Sequence, residues 1–389
     1  MNSLREQILV KGLKKRKVHI ALVGGQLAPV YNAIVADKAD IVEVVYSEAT
    51  VSQVDKLKDE LNIPIIDSKP LAPTNPRKIQ KRAKELADKY SNDDITVNIS
   101  GGVKSWAYFF SIEFYNLENA RVIYFDQNNV LWDYKEMKGI DDFEFDMYKN
   151  FRLYGNPLDT YKRFTDYTES DDKVAEKIEN IRKQHPQQFN GLFIVQDHKE
   201  QSLLQQKIGR RCSNKDYSQV SWDKTAIREG GDTLLDISIF SKGEKFDYRL
   251  QSPHAFELAF DAGWFEYKIA KLFSGWDKAK EVLLDCRFQA ANSADKNQID
   301  VIVNAGTKII FVECKTQIKA ITDIDKFSSV VKTYGGSGSK GVFITYEKKN
   351  LQAKEKCKEK GLIDIDLSNN FSEEDFYKKM NDELRKLNA

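Results

Sequence analysis

An acid and a lysine lie two residues apart in the run Ile309-Ile-Phe-Val-Glu-Cys-Lys315. The run predicts a β-strand, and residues two apart on a strand face the same side, so Glu313 and Lys315 share a face. Asp300 lies a hairpin's length upstream. Hard divalent cations prefer oxygen ligands, and Asp300, Glu313 and the backbone carbonyl of Cys314 suit Mg²⁺ or Mn²⁺. The pattern predicts metal-assisted attack of water on phosphorus, with Lys315 orienting the water or offsetting charge.

The hairpin that joins the two strands sets how these side chains meet. Asn304-Ala-Gly-Thr307 predicts a four-residue turn, which would pair Val303 with Lys308. Asp300 would then lie diagonal to Glu313, and such neighbours are about 7–8 Å apart at Cα. Two carboxylates at that spacing can converge on one cation.

A third carboxylate precedes the strands. Glu266, in Gly263-Trp-Phe-Glu, lies in a segment from Pro253 to Phe273 whose apolar spacing predicts a helix, and it could add a ligand. The alternative is that Glu-x-Lys merely forms a solvated strand edge. Against it, the preceding Ile309–Val312 is wholly apolar, and unpaired charges on a buried strand are costly unless they are functional or paired.

Residues 246–346 resemble the PD-(D/E)xK nuclease superfamily in the order Gly-Trp-Phe-Glu, Gln-x-Asp, then Val-Glu-Cys-Lys. Ile299 stands where the superfamily's name has Pro. The resemblance implies that Glu266, Asp300, Glu313 and Lys315 form the active site.

Glycine-rich or hydroxyl-bearing loops follow three of four predicted strands in the first part of the chain. The strands are 17–23, 41–46, 95–99 and 120–125, with a helix predicted from Asn75 to Tyr90 and another from Ser105 to Phe114. Strands that alternate with helices predict a parallel sheet, with ligand sites at the carboxyl ends of its strands. The candidate ligand-binding residues in these loops are Gly24, Gly25, Gln26, Ser47, Thr50, Asn98, Ser100, Gly101, Gly102 and Lys104.

The segment Asn98-Ile-Ser-Gly-Gly-Val-Lys104 suits a phosphate, because glycines allow close approach and amide groups and a lysine attract anions. A plain strand-to-helix turn would look the same. A dinucleotide site is a poor alternative, because Gly24-Gly-Gln-Leu-Ala-Pro29 lacks the Gly-x-Gly-x-x-Gly spacing.

These loops together resemble the CARF domain, a Rossmann-like sensor of CRISPR-associated proteins, with Val103 where the family turn has Thr. CARF followed by PD-(D/E)xK resembles the CRISPR ancillary nucleases. That resemblance implies a homodimer, activated by a cyclic oligoadenylate, here cyclic tetra-adenylate, in type III CRISPR antiviral defence. It further implies degradation of single-stranded DNA or RNA and nicking of duplex DNA. The alternative is a catalytically silent, ligand-controlled nucleic-acid-binding or regulatory protein.

Length and composition indicate an α/β protein of more than one domain. The 389 residues are 41% hydrophobic and 31% charged, with a net charge of +1 that is uninformative about nucleic acid. We expect a sensor domain over 1–154, a connection and start of the second domain over 155–245, and a restriction-endonuclease-like α/β domain over 246–389. No long apolar run or signal peptide is evident, which predicts a cytoplasmic protein without a membrane partner.

Overall fold

The computed structural model describes residues 15–126, 130–140, 143, 145–195, 198–213, 215–225, 232–260, 262–289, 298–318, 320–335, 338–368 and 372–388. The chain divides into two compact units between Pro157 and Leu158. Among the residues described, no helix is long and apolar enough to cross a membrane.

The first unit is an α/β/α sandwich. Its strands are β1 (Lys17–Leu22), β2 (Ile41–Val45), β3 (Ile65–Asp67), β4 (Asp94–Asn98), β5 (Ala120–Phe125), β6 (Leu131–Asp133) and β7 (Lys138–Ile140). Its helices are α1 (Ala28–Asp37), α2 (Val51–Glu60), α3 (Pro76–Lys89), α4 (Lys104–Tyr115) and α5 (Met147–Leu153). Helices α1 and α2 pack on one face of the sheet, and α3 and α4 pack on the other.

The order of the strands in this sheet is β3-β2-β1-β4-β5-β6-β7. The first five are parallel, as predicted, while β6 and β7 add an antiparallel edge. Strands β1 and β4 are neighbours in the sheet although they are not consecutive in the chain. Helix α1, which follows β1, and helix α4, which follows β4, pack on opposite faces of the sheet. In open α/β sheets a ligand crevice forms at the carboxyl ends of the strands at such a switch point.

The second unit contains two sheets around one hydrophobic core. Its strands are β8 (Leu158–Arg163), β9 (Ile208–Cys212), β10 (Gln219–Asp223), β11 (Thr233–Ser241), β12 (Glu244–Ser252), β13 (Glu281–Phe288), β14 (Gln298–Ala305), β15 (Lys308–Lys315), β16 (Ser339–Thr345) and β17 (Ile363–Asp366). Its helices are α6 (Glu169–Gln184), α7 (Pro186–Phe193), α8 (His198–Leu204), α9 (Ala255–Ala259), α10 (Gly263–Ser274), α11 (Thr322–Gly335), α12 (Leu351–Glu359) and α13 (Glu373–Asn388).

The larger sheet has the order β17-β16-β15-β14-β13-β8, antiparallel from β8 to β15 and parallel from β15 to β17. The smaller sheet, β12-β11-β10-β9, is antiparallel. The described residues of 158–245, where the sequence pattern is weak, form β8 to β11, the start of β12, and helices α6 to α8 of this unit. The fold is therefore an N-terminal Rossmann-like unit followed by a restriction-endonuclease-like α/β unit.

One predicted helix is broken. Pro253 to Phe273 forms α9 and α10 instead of one helix, with a kink at Ala262, whose φ of +68° is left-handed. A side chain at Gly263 would collide with the carbonyl of Glu257, so the glycine lets α10 begin against the end of α9.

Candidate functional site

The β14–β15 hairpin brings the predicted carboxylates to one face of the sheet. Ala305 pairs with Lys308, so the turn has two residues, not the four predicted, and Gly306 has the positive φ that a two-residue hairpin requires. Val301 pairs with Val312, and one further step along the same register places Asp300 opposite Glu313. The predicted diagonal pairing is wrong by two residues, and because a shift of two preserves the face, the two carboxylates still lie together.

Two short contacts organise this cluster. The backbone amide of Cys314 donates a hydrogen bond to Asp300 Oδ2 at 2.7 Å, which fixes the carboxylate against β15. Lys315 Nζ lies 2.5 Å from Glu313 Oε1. The strand geometry that predicts a shared face for Glu313 and Lys315 is thereby confirmed.

Glu266 comes to the same cluster from the first turn of α10. Burial raises its pKa well above the usual value of 4.5, and the charge of Asp300 raises it further. Glu266, Asp300, Glu313 and Lys315 therefore lie within electrostatic reach of one another, as the sequence predicts.

The cluster holds more negative charge than its lysine neutralises. Burial and the neighbouring Glu313 raise the pKa of Asp300 to about 7. Burial acts to lower the pKa of Lys315, but the charges of Asp300 and Glu313 outweigh it and raise that pKa. The lysine stays charged, while the carboxyls resist ionising together.

The carboxylate oxygens of this cluster are donors that a hard cation prefers, but they do not form a complete ligand shell. Within the described ranges, no three His, Cys, Asp or Glu side chains converge closely enough to hold a metal ion. The available donors are carboxylate oxygens, and a divalent cation would relieve the repulsion that raises the pKa values of Asp300 and Glu266. These residues fit Mg²⁺ or Mn²⁺ with water completing the shell.

Asp285 is a further acid at this cluster that the sequence argument missed. Its charge adds to the raised pKa of Glu266 and, to a smaller extent, of Asp300. It interrupts the apolar run Val282-Leu-Leu-Asp-Cys286 of β13, which is the signal that could have identified it.

The loops after β1 and β4 in the first unit meet through glycines. A Cβ added to Gly24 would lie 2.6 Å from the backbone nitrogen of Gly102, so these loops pack backbone to backbone. Gly102 has a φ of +71°, which also favours glycine. By contrast, Gly25 is exposed, with nothing near its added Cβ, and Gln26 is exposed beside it.

Several loop side chains are already engaged within the loops. Asn98 is buried; its Nδ2 donates to the carbonyl of Val30, and its Oδ1 accepts from the amide of Ser100. Ser100 Oγ in turn accepts from the amide of Phe125 at 2.7 Å. Asn98 therefore shapes the loop instead of facing a ligand.

Lys104, at the start of α4, is an exposed cation at this edge. Ser47 and Thr50 form a capping box after β2, and Thr50 Oγ1 also donates to the carbonyl of Val23 at 3.5 Å. The loops after β1 and β2 thus meet at one edge of the sheet.

Comparison with known proteins finds similarity in structure but not in sequence. No protein-family model and no curated protein matches the chain. Can2 from Sulfobacillus thermosulfidooxidans, solved in complex with cyclic tetra-adenylate, is 18% identical, with a TM-score of 0.61 over 96% of this chain and 97% of that chain. Protein VC1899 from Vibrio cholerae is 13% identical, with a TM-score of 0.64 over 96% of this chain and 98% of that chain.

A type III CRISPR defence DNA nuclease activated by cyclic oligoadenylate is 14% identical, with a TM-score of 0.51. The match covers 89% of this chain and 50% of that one. At these identities, the likeness shows a shared fold.

Proposed function

We propose that this chain is a metal-dependent nuclease of the PD-(D/E)xK type, controlled by a cyclic oligoadenylate in type III CRISPR antiviral defence. The observation that carries the proposal is the convergence of Asp300 and Glu313 on facing strands with Lys315 beside them. Glu266 adds a carboxylate from α10. Of the structures with a similar fold, one is a complex with cyclic tetra-adenylate, and another is a type III CRISPR defence DNA nuclease activated by cyclic oligoadenylate. Both support the proposal.

In this proposal, Asp300, Glu313, Glu266 and the Cys314 carbonyl would hold Mg²⁺ or Mn²⁺. The cation supplies Lewis acidity toward a phosphoryl oxygen and makes water a better nucleophile. Lys315 remains charged beside the carboxylates, where it orients the attacking water or offsets negative charge that grows on the phosphoryl oxygens. The substrate is single-stranded nucleic acid.

The first unit is the sensor in this proposal, and cyclic tetra-adenylate is its ligand. The ligand lies over the loops after β1, β2 and β4, where backbone amides and Lys104 suit its phosphates. Gly25, Gln26 and Lys104 are exposed there. Asn98 and Gly24 act indirectly, by holding the loops in shape.

A homodimer belongs to the same proposal. Helix α4 begins at Lys104 and exposes Tyr108, Ile112 and Tyr115 at 62%, 53% and 47%. Spacings of four and three place these side chains on one helix face. An apolar stripe that leads away from the ligand loops is suited to pairing with a second copy, so that both copies contribute to one ligand site.

The incomplete ligand shell favours a second candidate, a catalytically silent protein that binds nucleic acid under ligand control. In such a protein the Lys315–Glu313 ion pair would be a structural contact. The two candidates predict opposite results in one assay.

The assay follows cleavage of single-stranded DNA and RNA with and without Mn²⁺ and with and without cyclic tetra-adenylate. We expect cleavage only when both are present, because the cation completes the site and the ligand controls it. Full turnover in excess chelator would refute the metal requirement. Ligand and nucleic-acid binding without cleavage under any condition would establish the silent protein.

A further inference from the structure

Strand β13 contains a bulge at Asp285. On the β14 side, Leu284 pairs with Val301 and Cys286 with Ile299, while on the β8 side the register shifts between Leu284 and Arg287. Asp285 has a φ of +48°, a left-handed conformation that is uncommon for any residue but glycine. Bulges re-aim side chains and are frequent next to active sites.

The bulge places the Asp285 carboxylate between two cations. Arg287 Nε lies 3.5 Å from Oδ1, and Lys162 Nζ lies 3.8 Å from Oδ2. Both distances are too long for a good hydrogen bond, and Oδ1 accepts none from the described residues. The two cations are attracted to Asp285 without being bound tightly to it.

Lys162 is held from its other side. Its Nζ lies 2.9 Å from Glu257 Oε2, and that carboxylate also contacts His254 Nδ1 at 2.9 Å. The pKa of Glu257 falls to about 2; burial opposes this change, and the hydrogen bonds with His254 and Lys162 outweigh it. Glu257 is therefore a permanent anion that fixes the lysine on edge strand β8.

Both cations remain accessible. The Lys162 side chain is 30% exposed and that of Arg287 is 56% exposed. Their shared neighbour Asp285 lies opposite Asp300 in the β13–β14 register, between the pairs Leu284–Val301 and Cys286–Ile299, so the two cations flank the carboxylate cluster. A nucleic-acid strand that approaches these acids is repelled unless nearby cations contact its phosphates.

We propose that Lys162 and Arg287 bind the backbone phosphate of the substrate strand adjacent to the phosphodiester that is cleaved. This inference rests on the proposed nuclease function. The planar guanidinium of Arg287 can make two hydrogen bonds to a phosphate, and Lys162 adds a point charge. The bulge at Asp285 holds the pair beside the carboxylates until the phosphate enters.

The test is the salt dependence of binding to single-stranded DNA and single-stranded RNA oligonucleotides, measured by fluorescence anisotropy in excess chelator with cyclic tetra-adenylate present. For Lys162→Ala and Arg287→Ala, we expect Kd to rise about tenfold at low salt. The slope of log Kd against log salt should become shallower by about 0.7 for each cation removed. Lys162→Arg and Arg287→Lys should keep most of the slope.

Matched controls are Lys245→Ala and Arg249→Ala on β12. Their side chains pair with Asp247 at 2.8 Å and with Asp236 at 2.7 Å. They remove the same charges from the same unit, and we expect their slopes to match that of the wild type.

If Lys162 and Arg287 only neutralise Asp285, their variants lose thermal stability while the salt slope stays unchanged, and the inference is overturned. If the salt slope of the variants is unchanged and the protein still cleaves, this inference is refuted and the proposed function stands. If the wild type binds with the predicted slopes but never cleaves, the phosphate contact is supported and the proposed nuclease function is refuted.

Discussion

At the scale of single residues, the carboxylate cluster brings like charges together, and hydrogen bonds and an ion pair are needed to offset their repulsion. Asp300 is buried and receives one backbone hydrogen bond, from Cys314. Lys315 is paired with Glu313 and offsets one charge. Burying several acids beside one base costs stability, and such sites are frequent where a protein binds cations or catalyses a reaction.

Asp300→Asn tests that cost. The usual pKa of 3.8 rises to about 7 in the fold, so between these values the folded state holds a proton that the unfolded state has released. The free energy of unfolding therefore falls as pH rises from about 4 to about 7, and the loss is complete above that range. We expect Asp300→Asn to be more stable than the wild type at pH 8, by on the order of 4 kcal/mol, with little difference at pH 4.

The measurement is thermal unfolding of both proteins across that pH range in excess chelator. A stability difference that is the same at pH 4 and pH 8 would contradict the raised pKa of Asp300.

The residue types of the site were predictable because they follow strand periodicity. Glu313 and Lys315 share a face in any straight strand. Asp285 stands out in its apolar run, but its approach to Glu266 was not predictable, because it depends on a bulge and a left-handed φ that no residue in β13 signals. Asn98 shows the converse, since its position in the loop motif was evident but its burial was not.

At the scale of elements, the length of one turn decides what the β14–β15 hairpin presents. Its two-residue turn differs from the predicted four-residue turn by two, an even number, so Asp300 stays on the face of Glu313. A change by one residue would send Asp300 to the opposite face. Glycine at 306 is the residue that permits the tight turn.

Helix α4 runs from the loops after β1, β2 and β4, where the ligand is proposed to bind, to the apolar stripe of Tyr108, Ile112 and Tyr115. The substitution Ile112→Asp tests whether that stripe pairs two copies of the chain. We expect the variant to shift toward monomer in analytical ultracentrifugation and to lose affinity for cyclic tetra-adenylate, because a charge in a paired apolar face is costly. Leu351→Asp is the matched control, since Leu351 is a 73% exposed apolar residue in the other unit.

If the wild type forms the proposed dimer, calorimetry should give one ligand for two chains. A ratio of one ligand to each chain, or a variant that remains fully dimeric, would contradict the shared site.

At the scale of the whole molecule, the two α/β units were predictable from strands that alternate with helices and from the apolar runs of β14 to β16. The part that the sequence did not resolve was 155–245. There the smaller sheet is antiparallel, and the alternating residues of its strands, as in Thr233–Ser241, bury only one face. Polar side chains on the other face obscure the signal that a fully buried strand gives.

The central claim is that one unit senses and the other cuts, and it predicts that two lysines have separable effects. Lys104 stands at the ligand loops and Lys315 at the carboxylates. An effector acts only through its different affinity for the inactive and active states of the protein. A variant that binds the ligand more weakly therefore needs more ligand for activation, but its active state is unchanged.

The most direct measurement is a titration of cyclic tetra-adenylate against the rate of single-stranded nucleic-acid cleavage in Mn²⁺, with ligand binding measured in parallel, for the wild type, Lys104→Ala and Lys315→Ala. Lys104→Ala should need at least about tenfold more ligand, for the loss of a charge-assisted contact of about 1.5–3 kcal/mol, and reach the wild-type rate at saturation. Lys315→Ala should bind ligand normally and cleave at no ligand concentration. Loss of cleavage in Lys104→Ala at every ligand level, with ligand binding unchanged, would contradict the account.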